Sequence, residues 1–337
     1  MRKRWRLILG IVLSALFVYL SIRDVDWAEL WGLFSAGNYF WLIPAFLMLL
    51  VINYVRGYRW RLLMHPDTSL GLTKSFHYVN IGYLFNNILP AKAGEVVRTV
   101  LAGRIVSGGF GQAVSSLLIE RLLDVLTLVP LLLVLIPILD LPQWATRGGL
   151  VFGVVAVAGT IALLVLARIG KRGVDWLWRF VGRIPLVGHP RIREMVDNLV
   201  EGFGVLWNRQ VLPGVLISSL VIWGGYALFN YVIMLALRLS HLPFSAAALV
   251  LCTTGFSMIV PSSPGGIGPF EWAGVQALAL FGVTESVAFG YTLGLHLFTI
   301  LSMDLFGLVG LAVEGVNYAD VRRQAEEQDT AQAAAAE

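Results

Sequence analysis

The chain has 337 residues, of which 57% are hydrophobic and 14% are charged, and its formal net charge is +4 at pH 7. Soluble domains carry about 25% charged residues, so this composition excludes a protein whose whole surface lies in water. The basic residues stand beside long apolar stretches and not on a face with base-stacking aromatics, so we expect no nucleic-acid partner.

Six stretches are long and apolar enough to cross a bilayer, since a spanning helix needs about 20 residues. They cover residues 5–22, 39–55, 113–139, 150–167, 211–237 and 286–313. No small-x-small cleavage site follows the first stretch, so we predict an uncleaved first span and not a signal peptide. Two further apolar stretches, residues 75–89 and 246–260, are too short to cross and end at Pro90 and Pro261.

Basic clusters predict the direction of the spans, because cytoplasmic loops are enriched in Lys and Arg. The clusters are residues 2–6, the group Arg56, Arg59 and Arg61, residues 168–193, and Arg322 with Arg323. All of them fall on the cytoplasmic side only if the two short stretches turn back without crossing. We therefore predict two re-entrant hairpins that enter the membrane from opposite faces.

The predicted hairpins cover about residues 72–104 and 244–281, within one transmembrane domain of residues 1–316. Apolar residues at helical spacing beside arginines predict a cytoplasmic interfacial segment over about residues 170–208. Residues 317–337 are acidic and rich in alanine, which predicts a cytoplasmic tail without chemistry of its own.

The two hairpin tips resemble each other in sequence. Residues 88–95 read Ile-Leu-Pro-Ala-Lys-Ala-Gly-Glu, and residues 259–265 read Ile-Val-Pro-Ser-Ser-Pro-Gly, with Glu271 shortly after. In both, an apolar half-helix stops at a proline, glycines turn the chain, and a glutamate opens the next helix. Weak internal similarity of this kind is typical of inverted-repeat transporters. Each tip would present a helix amino terminus, which favours a phosphate group.

Residues at both tips are therefore candidates for binding an anionic group. Lys92 and Arg98 would supply full positive charges. In the alternative interpretation Glu95 and Glu271 only cap their helices, and Glu95 pairs with Arg98 one turn later. We favour function, because ionisable residues inside a membrane are costly. The candidate substrate-binding residues are Asn87, Lys92, Gly94, Glu95, Arg98, Ser262, Ser263, Gly265, Gly266, Gly268 and Glu271.

A second set of charges lies inside the predicted spans. Glu120 and Asp124 share one helical face, and Arg121 can reach Asp124 at a spacing of three. These residues either form an ion pair that orients helices or carry protons along a pathway, and the sequence leaves both open. Asp304, with His296 about two turns earlier, adds a polar point in the last span, where we favour His296 as an interhelical hydrogen-bond donor over a proton relay. The candidate coupling residues are Glu120, Arg121, Asp124 and Asp304.

These motifs resemble those of the lysylphosphatidylglycerol synthase transmembrane family, a group of flippase-like membrane proteins. The resemblance is carried by residues 87–98, by Glu120 to Asp124, and by residues 261–268 with Glu271, and it extends to about residue 314. It implies lipid translocation, with the matched residues near the pathway. The soluble aminoacyl-transferase domain of the large family members is absent from this sequence, so we expect no synthesis of lysylphosphatidylglycerol.

The sequence thus predicts an all-α polytopic protein of the inner or plasma membrane, with six transmembrane helices, two opposed re-entrant hairpins and cytoplasmic termini. Its predicted function is to translocate an anionic or phosphate-bearing lipid: a phospholipid, an aminoacylated phospholipid or a polyprenyl-phosphate-linked sugar. One alternative is a non-transporting membrane partner of a lipid-synthesising enzyme or glycosyltransferase. The other is an intramembrane lipid phosphotransferase. The single cysteine and scattered histidines disfavour a metal site or cofactor, so we expect no enzyme.

Overall fold

The computed structural model describes residues 2–89, 92–139, 143–170, 202–260 and 262–316, together with residues 175, 176, 178, 179 and 193. All regular structure in these residues is helical. The α-helices with described bounds are α1 (Arg2–Ile22), α2 (Trp27–Ser35), α3 (Leu42–Leu63), α4 (Leu72–Ile88), α5 (Ala93–Gly103), α6 (Gly109–Ile138), α7 (Gln143–Ile169), α8 (Leu212–Ala236), α9 (Phe244–Ser257), α10 (Pro269–Ala279) and α11 (Glu285–Glu314). Short 3₁₀ turns occur at Tyr39–Trp41, Phe203–Trp207 and Pro264–Gly266.

Four helical segments are long and apolar enough to cross a bilayer. They are Tyr39–Leu63, Gly109–Ile138, Leu212–Ala236 and Glu285–Glu314, and they coincide with four of the six predicted spans. The apolar parts of α1 and α7 are shorter, at Gly10–Ile22 and Thr146–Gly159. Large apolar side chains are exposed along these helices, as a lipid-facing surface requires. The chain is therefore a multi-pass membrane protein whose described regular structure is all helical.

The two predicted hairpins correspond to pairs of short helices. With 17 residues, α4 is about 25 Å long, and α9 with 14 residues is about 21 Å long. Both are shorter than the roughly 30 Å hydrocarbon core of a bilayer. The turns predicted at Pro90 and Pro261 lie outside the described residues.

Helix packing in the first half of the chain has a counterpart in the second half. The span α3 precedes the first hairpin and packs against α8, the span that precedes the second hairpin. The first arm of each hairpin packs against the long helix that follows the other hairpin, α4 against α11 and α9 against α6. Each second arm also packs against its own following helix, α5 against α6 and α10 against α11. The first arms of the two hairpins thus pack against the opposite half of the chain, and the second arms pack against their own half.

The first helix supports the second hairpin tip. The hydroxyl of Ser14 accepts a hydrogen bond of 2.8 Å from the backbone N–H of Ser263. A Cβ atom on Gly268 would lie 2.6 Å from the carbonyl oxygen of Ser14, and one on Gly10 would lie 3.2 Å from that of Ser262. Glycines at both positions therefore let α1 approach the tip backbone directly.

Two predicted segments fall largely outside the described residues. The carboxyl end of the predicted interfacial segment, residues 170–208, is described as a 3₁₀ turn that buries Val205 and Leu206. The predicted tail, residues 317–337, lies wholly outside them.

Candidate functional site

Seven charged side chains from three helices meet inside the helix bundle. We call them the arginine cluster: Arg56 and Arg59 of α3, Glu95 and Arg98 of α5, and Glu120, Arg121 and Asp124 of α6. Arg56, Arg59, Arg98, Glu120 and Asp124 are buried. The side chains of Glu95 and Arg121 are partly exposed, at 23% and 40%. Among the described residues of the cluster, exposure is therefore concentrated on Glu95 and Arg121.

Glu120 lies at the centre of the cluster and is fully buried. Its Oε2 accepts a hydrogen bond of 2.6 Å from Nη2 of Arg98, and its Oε1 accepts one of 3.2 Å from Nη1 of Arg56. Guanidinium nitrogens of Arg59 and Arg121 each lie 3.6 Å from Oε1. One carboxylate thus connects all three helices of the cluster.

Asp124, one turn further along α6, forms a second set of contacts. Its Oδ1 accepts hydrogen bonds from Nη2 of Arg59 at 2.6 Å and from the indole N–H of Trp223 at 3.2 Å. Its Oδ2 lies 3.4 Å from Nη1 of both Arg56 and Arg121. Because Trp223 belongs to α8, these contacts connect the cluster to the second half of the chain.

Aromatic rings lie beside the guanidinium groups of Arg56 and Arg98. The guanidinium carbon of Arg98 lies 4.9 Å from the ring centroid of Trp60. That of Arg56 lies within 6 Å of the ring centroids of Tyr83, Trp223 and Tyr226. Aromatic faces attract cations and exclude water. The charges of the cluster are therefore held in an apolar surrounding, where electrostatic interactions are strong.

The arginine cluster contains more positive than negative charge. Four arginines face three carboxylates, which leaves a surplus of one positive charge when every group is ionised. Within the part of the chain that the structure describes, the buried Nε atoms of Arg56, Arg59 and Arg98 have no hydrogen-bond partner. A buried, incompletely paired charge is unfavourable by several kcal/mol. An anion that accepts hydrogen bonds would neutralise the surplus positive charge and would pair with the Nε atoms.

The first hairpin tip adjoins the cluster. Glu95, the third residue of α5, lies 3.4 Å from Nε of Arg121. Lys92 precedes α5 with a left-handed backbone (φ 54°) and an exposed side chain. A Cβ atom on Gly94 would lie only 1.9 Å from the carbonyl oxygen of Gly82, so glycine at this position allows α4 and α5 to touch. The tip thus presents an exposed cation next to the cluster.

The second tip is organised around His296 of α11. Its Nδ1 lies 2.6 Å from Oε1 of Glu271, and its Nε2 lies 3.0 Å from the carbonyl oxygen of Gly265. The other carboxylate oxygen of Glu271 accepts a hydrogen bond of 2.7 Å from the backbone N–H of Gly268. The ring of Phe270 stacks on the imidazole at 4.0 Å. We call His296 and Glu271 the His–Glu pair.

The two tips lie next to each other. A Cβ atom on Gly265 would be 3.9 Å from Oδ1 of Asn87, at the carboxyl end of α4. The side-chain amide of Asn87 also donates a hydrogen bond of 2.8 Å to Asp304 of α11. The carboxyl end of α4 and the 3₁₀ turn Pro264–Gly266 therefore lie next to each other.

Several predicted pairings can be compared with the observed ones. Arg121 reaches Asp124 as predicted, and Glu271 caps its helix as in the alternative interpretation. The pairing of Glu95 with Arg98, which the alternative interpretation expects, is not observed, because Arg98 turns inward to Glu120. The remaining candidates Ser262, Ser263 and Gly266 lie at the second tip, where Gly266 is buried and the serines are half-buried.

Three of the central residues, Arg56, Arg59 and His296, lie in other surroundings than the sequence predicted. Arg56 and Arg59 were interpreted as part of a cytoplasmic basic cluster, but both lie within α3 and are only 4% and 0% exposed. His296 was grouped with Asp304, but it contacts Glu271, and Asp304 contacts Asn87. The sequence feature that could have indicated burial of Arg56 and Arg59 was their spacing of three, which places both on one helix face next to Trp60 in a continuous helical pattern.

Comparisons with known proteins give a consistent family assignment. The family described as the lysylphosphatidylglycerol synthase TM region matches residues 7–307. Glycosyltransferase AglD of Haloferax volcanii is 25% identical over 327 residues, which covers 85% of this chain and 51% of the relative. The UPF0104 membrane protein MJ1078 of Methanocaldococcus jannaschii is 24% identical over 231 residues, which covers 66% of this chain and 91% of the relative. The chain thus spans about half the length of AglD, and no solved structure matches it.

Proposed function

Because the chain belongs to the lysylphosphatidylglycerol synthase transmembrane family, we propose that it translocates an anionic or phosphate-bearing lipid across the cell membrane. The observation that carries this proposal is the surplus positive charge of the arginine cluster beside the first tip. A lipid phosphate would bring the missing negative charge. Its oxygens would accept hydrogen bonds from the unpartnered Nε atoms of Arg56, Arg59 and Arg98.

The proposed route runs between the two hairpin tips. In this proposal α4–α5 and α9–α10 are re-entrant hairpins that enter from opposite faces, with six spans around them and both termini in the cytoplasm. The short arms and the packing of each first arm against the opposite half of the chain support it. The head group would pass between the tips while the acyl chains stay in the bilayer, because irregular backbone is tolerated at membrane depth only where it faces protein or a polar cavity.

Candidate residues of both tips and of the arginine cluster have separate roles in this scheme. Lys92, which is exposed at the first tip, would make the first contact with the phosphate, and the buried arginines would hold it. Glu95, Glu120 and Asp124 would balance the arginine charges when no lipid is bound. The backbone of the second tip, including Ser262, Ser263 and the glycines Gly265, Gly266 and Gly268, would face the head group from the other side.

The proposal extends to the class of lipid but not to a chemical reaction. Phospholipids, aminoacylated phospholipids and polyprenyl-phosphate-linked sugars share the phosphate group that the cluster would bind. The charged groups of the arginine cluster are engaged with one another, and none is arranged as a nucleophile beside a general base within the described residues. Translocation without catalysis is therefore preferred over an intramembrane phosphotransferase.

A second candidate function is a non-transporting partner of a glycosyltransferase. It is favoured by the match to AglD, a relative named as a glycosyltransferase, of which this chain covers about half. In that case the arginine cluster would hold a phosphate-linked lipid for an enzyme, and no lipid would change leaflet.

Two measurements test these proposals. Mass spectrometry of the lipids retained by the purified protein should show enrichment of phosphate-bearing lipids, and the enrichment should fall in Arg98→Gln but not in Arg23→Gln, an exposed arginine outside the cluster. Purified protein in phosphatidylcholine vesicles with labelled phosphatidylglycerol should then move the label between leaflets. Retained phosphate lipid without movement of any offered lipid class would contradict translocation and support the partner function.

A further inference from the structure

We propose that His296 and Glu271 together bind one exchangeable proton, that release of this proton frees the second hairpin tip, and that lipid movement is in this way coupled to proton movement. This inference rests on the proposed lipid translocation. It adds a binding site for the coupling ion, which the arginine cluster does not provide.

The hydrogen bonds of the His–Glu pair require a proton between the two side chains. The carbonyl oxygen of Gly265 can only accept, so Nε2 of His296 must carry a hydrogen. Nδ1 lies 2.6 Å from Oε1 of Glu271, a distance at which two lone pairs would repel. The pair therefore holds one proton more than a neutral imidazole and a carboxylate, either as imidazolium with carboxylate or as imidazole with carboxylic acid.

The surroundings offer no permanent charge that could replace this proton. His296 and Glu271 are only 5% and 4% exposed. Among the described residues, no arginine or lysine forms an ion pair with Glu271. The other groups around the pair are the ring of Phe270 and backbone of the second tip, and the nearest further carboxylate on α11, that of Asp304, is hydrogen-bonded to Asn87. Compensation of the Glu271 charge thus depends on the proton.

Release of the proton would break the contact between α11 and the tip. The Nδ1–H bond breaks and the proton passes to water, which leaves a neutral imidazole whose lone pair faces the Glu271 carboxylate. Glu271 would still accept from Gly268, but its contact with His296 would become repulsive. Gly265, Gly266 and Gly268 have positive φ angles of 74°, 78° and 100°, and glycine at these positions allows backbone angles that other residues resist. The tip would move at the point where it meets Asn87 of the first tip.

The first tip has an equivalent contact that cannot release a proton. Glu95 and Glu271 are each the third residue of their helix. Glu95 faces Arg121, the thirteenth residue of α6, and Glu271 faces His296, the twelfth residue of α11. Arginine stays charged at every physiological pH, whereas histidine titrates in that range. The partner of Glu95 at the first tip, where phosphate would bind, therefore carries a permanent positive charge. The partner of Glu271 at the second tip can lose its charge with the proton.

Glu271→Gln is the variant that isolates the proton. The glutamine oxygen can accept from Gly268, its amide can donate to Nδ1 of His296, and Nε2–H can still donate to Gly265. All three hydrogen bonds are kept, but no proton can leave. The matched control is Glu314→Gln, because Glu314 forms a similar pair with His77 (2.7 Å) between α11 and α4, away from both tips.

The assay uses the full chain in phosphatidylcholine vesicles that contain a trace of labelled phosphatidylglycerol, with a pH gradient imposed across the membrane. For one proton per lipid, the leaflet ratio of the label should change up to about tenfold per pH unit in the wild type and in Glu314→Gln. In Glu271→Gln it should equal the ratio without a gradient. A wild type that moves the label but ignores the gradient overturns this inference alone, whereas a wild type that moves no offered lipid overturns the proposed function.

A second measurement does not require lipid movement. In a Cys252→Ala background, a cysteine introduced by Ser262→Cys reports accessibility of the half-buried second tip to a maleimide. Labelling should increase with pH more steeply with Glu271 than with Glu271→Gln, because only the former releases the tip. Equal pH dependence in the two backgrounds would overturn the inference.

Discussion

Nη2 of Arg98 donates a hydrogen bond of 2.6 Å to Oε2 of Glu120, and both side chains are buried. This contact joins α5, the return arm of the first hairpin, to the long helix that follows it. In the alternative interpretation of the sequence, the partner of Arg98 was Glu95, which shares its helix. Because Arg98 points inward, Glu95 contacts Arg121 at the partly exposed rim of the cluster.

Loss of the central carboxylate should strongly destabilise the protein. Glu120→Gln would leave four arginines with two carboxylates, and removal of one partner from a buried ion pair typically costs about 3–5 kcal/mol. We expect a lower unfolding midpoint in detergent for Glu120→Gln than for Glu29→Gln, an exposed glutamate of α2. The double variant Glu120→Gln, Arg98→Gln should recover part of the loss. Equal midpoints for Glu120→Gln and the wild type would show that the cluster does not hold the helices together.

Arg59 should not be replaceable by lysine. Its Nη2 donates to Asp124 at 2.6 Å and its Nη1 donates to Ser219 of α8 at 3.1 Å, and a lysine ammonium lacks this planar fork. A charge-assisted hydrogen bond is worth about 1.5–3 kcal/mol, so we expect at least about a tenfold loss of phosphate-lipid retention or translocation. Arg23→Lys, at an exposed pair with Asp24, is the control. Wild-type activity in Arg59→Lys would argue against a fixed guanidinium in the pathway.

Gly94→Ala should separate the arms of the first hairpin. The added Cβ would meet the carbonyl oxygen of Gly82 at 1.9 Å and the backbone nitrogen of Asn86 at 2.6 Å, so backbone must move. Overpacking of this kind costs about 1–3 kcal/mol. Gly224→Ala in α8 meets nothing within 4 Å and should be neutral or stabilising. Thermal unfolding of both variants tests this, and an unchanged midpoint for Gly94→Ala would contradict the close contact.

Asp67, in the connection between α3 and α4, should give the protein an acid-sensitive contact. Its carboxylate accepts hydrogen bonds from the backbone of Ser107 and Ser69, and these lower the pKa of Asp67 well below its ordinary value. A carboxylate whose pKa is lower in the folded than in the unfolded state stabilises the folded state at pH values above its unfolded pKa, which is about 4 for aspartate. This stabilisation is lost progressively as the pH falls from the unfolded pKa towards the folded pKa. We expect hydrogen exchange at Ser107 to be constant between pH 5 and 8, after correction for the intrinsic rate, and to accelerate below about pH 4.

Asp67→Asn is the variant that checks this assignment. The asparagine oxygen can accept only one of the two backbone bonds well, so exchange at Ser107 should be faster at all pH values and should lose its acid transition. Asp24→Asn, at an exposed aspartate of another connection, should behave as the wild type does.

The sequence alone determined the class of the protein and the contacts within single helices. Bilayer thickness sets the length of an apolar span, so the four long spans were visible in the composition of the chain. The spacing of three along α6 predicted the contact of Arg121 with Asp124, and the position of Glu271 at the start of α10 allowed it to cap its own helix. Such contacts join residues within one turn, where helix geometry alone fixes the distance.

Only the tertiary structure decided which helices share their charges. Arg59 meets Asp124 across 65 positions and Ser219 across 160, and the His–Glu pair joins residues 25 positions apart. These pairings depend on the register in which separate helices pack, which the periodicity of one helix does not contain. The positive-inside rule counts arginines by their place along the chain, so it assigned Arg56 and Arg59 to the cytoplasm. Burial against Glu120 and Asp124 instead holds both arginines inside the bundle, because a charge leaves water readily only where opposite charges replace it.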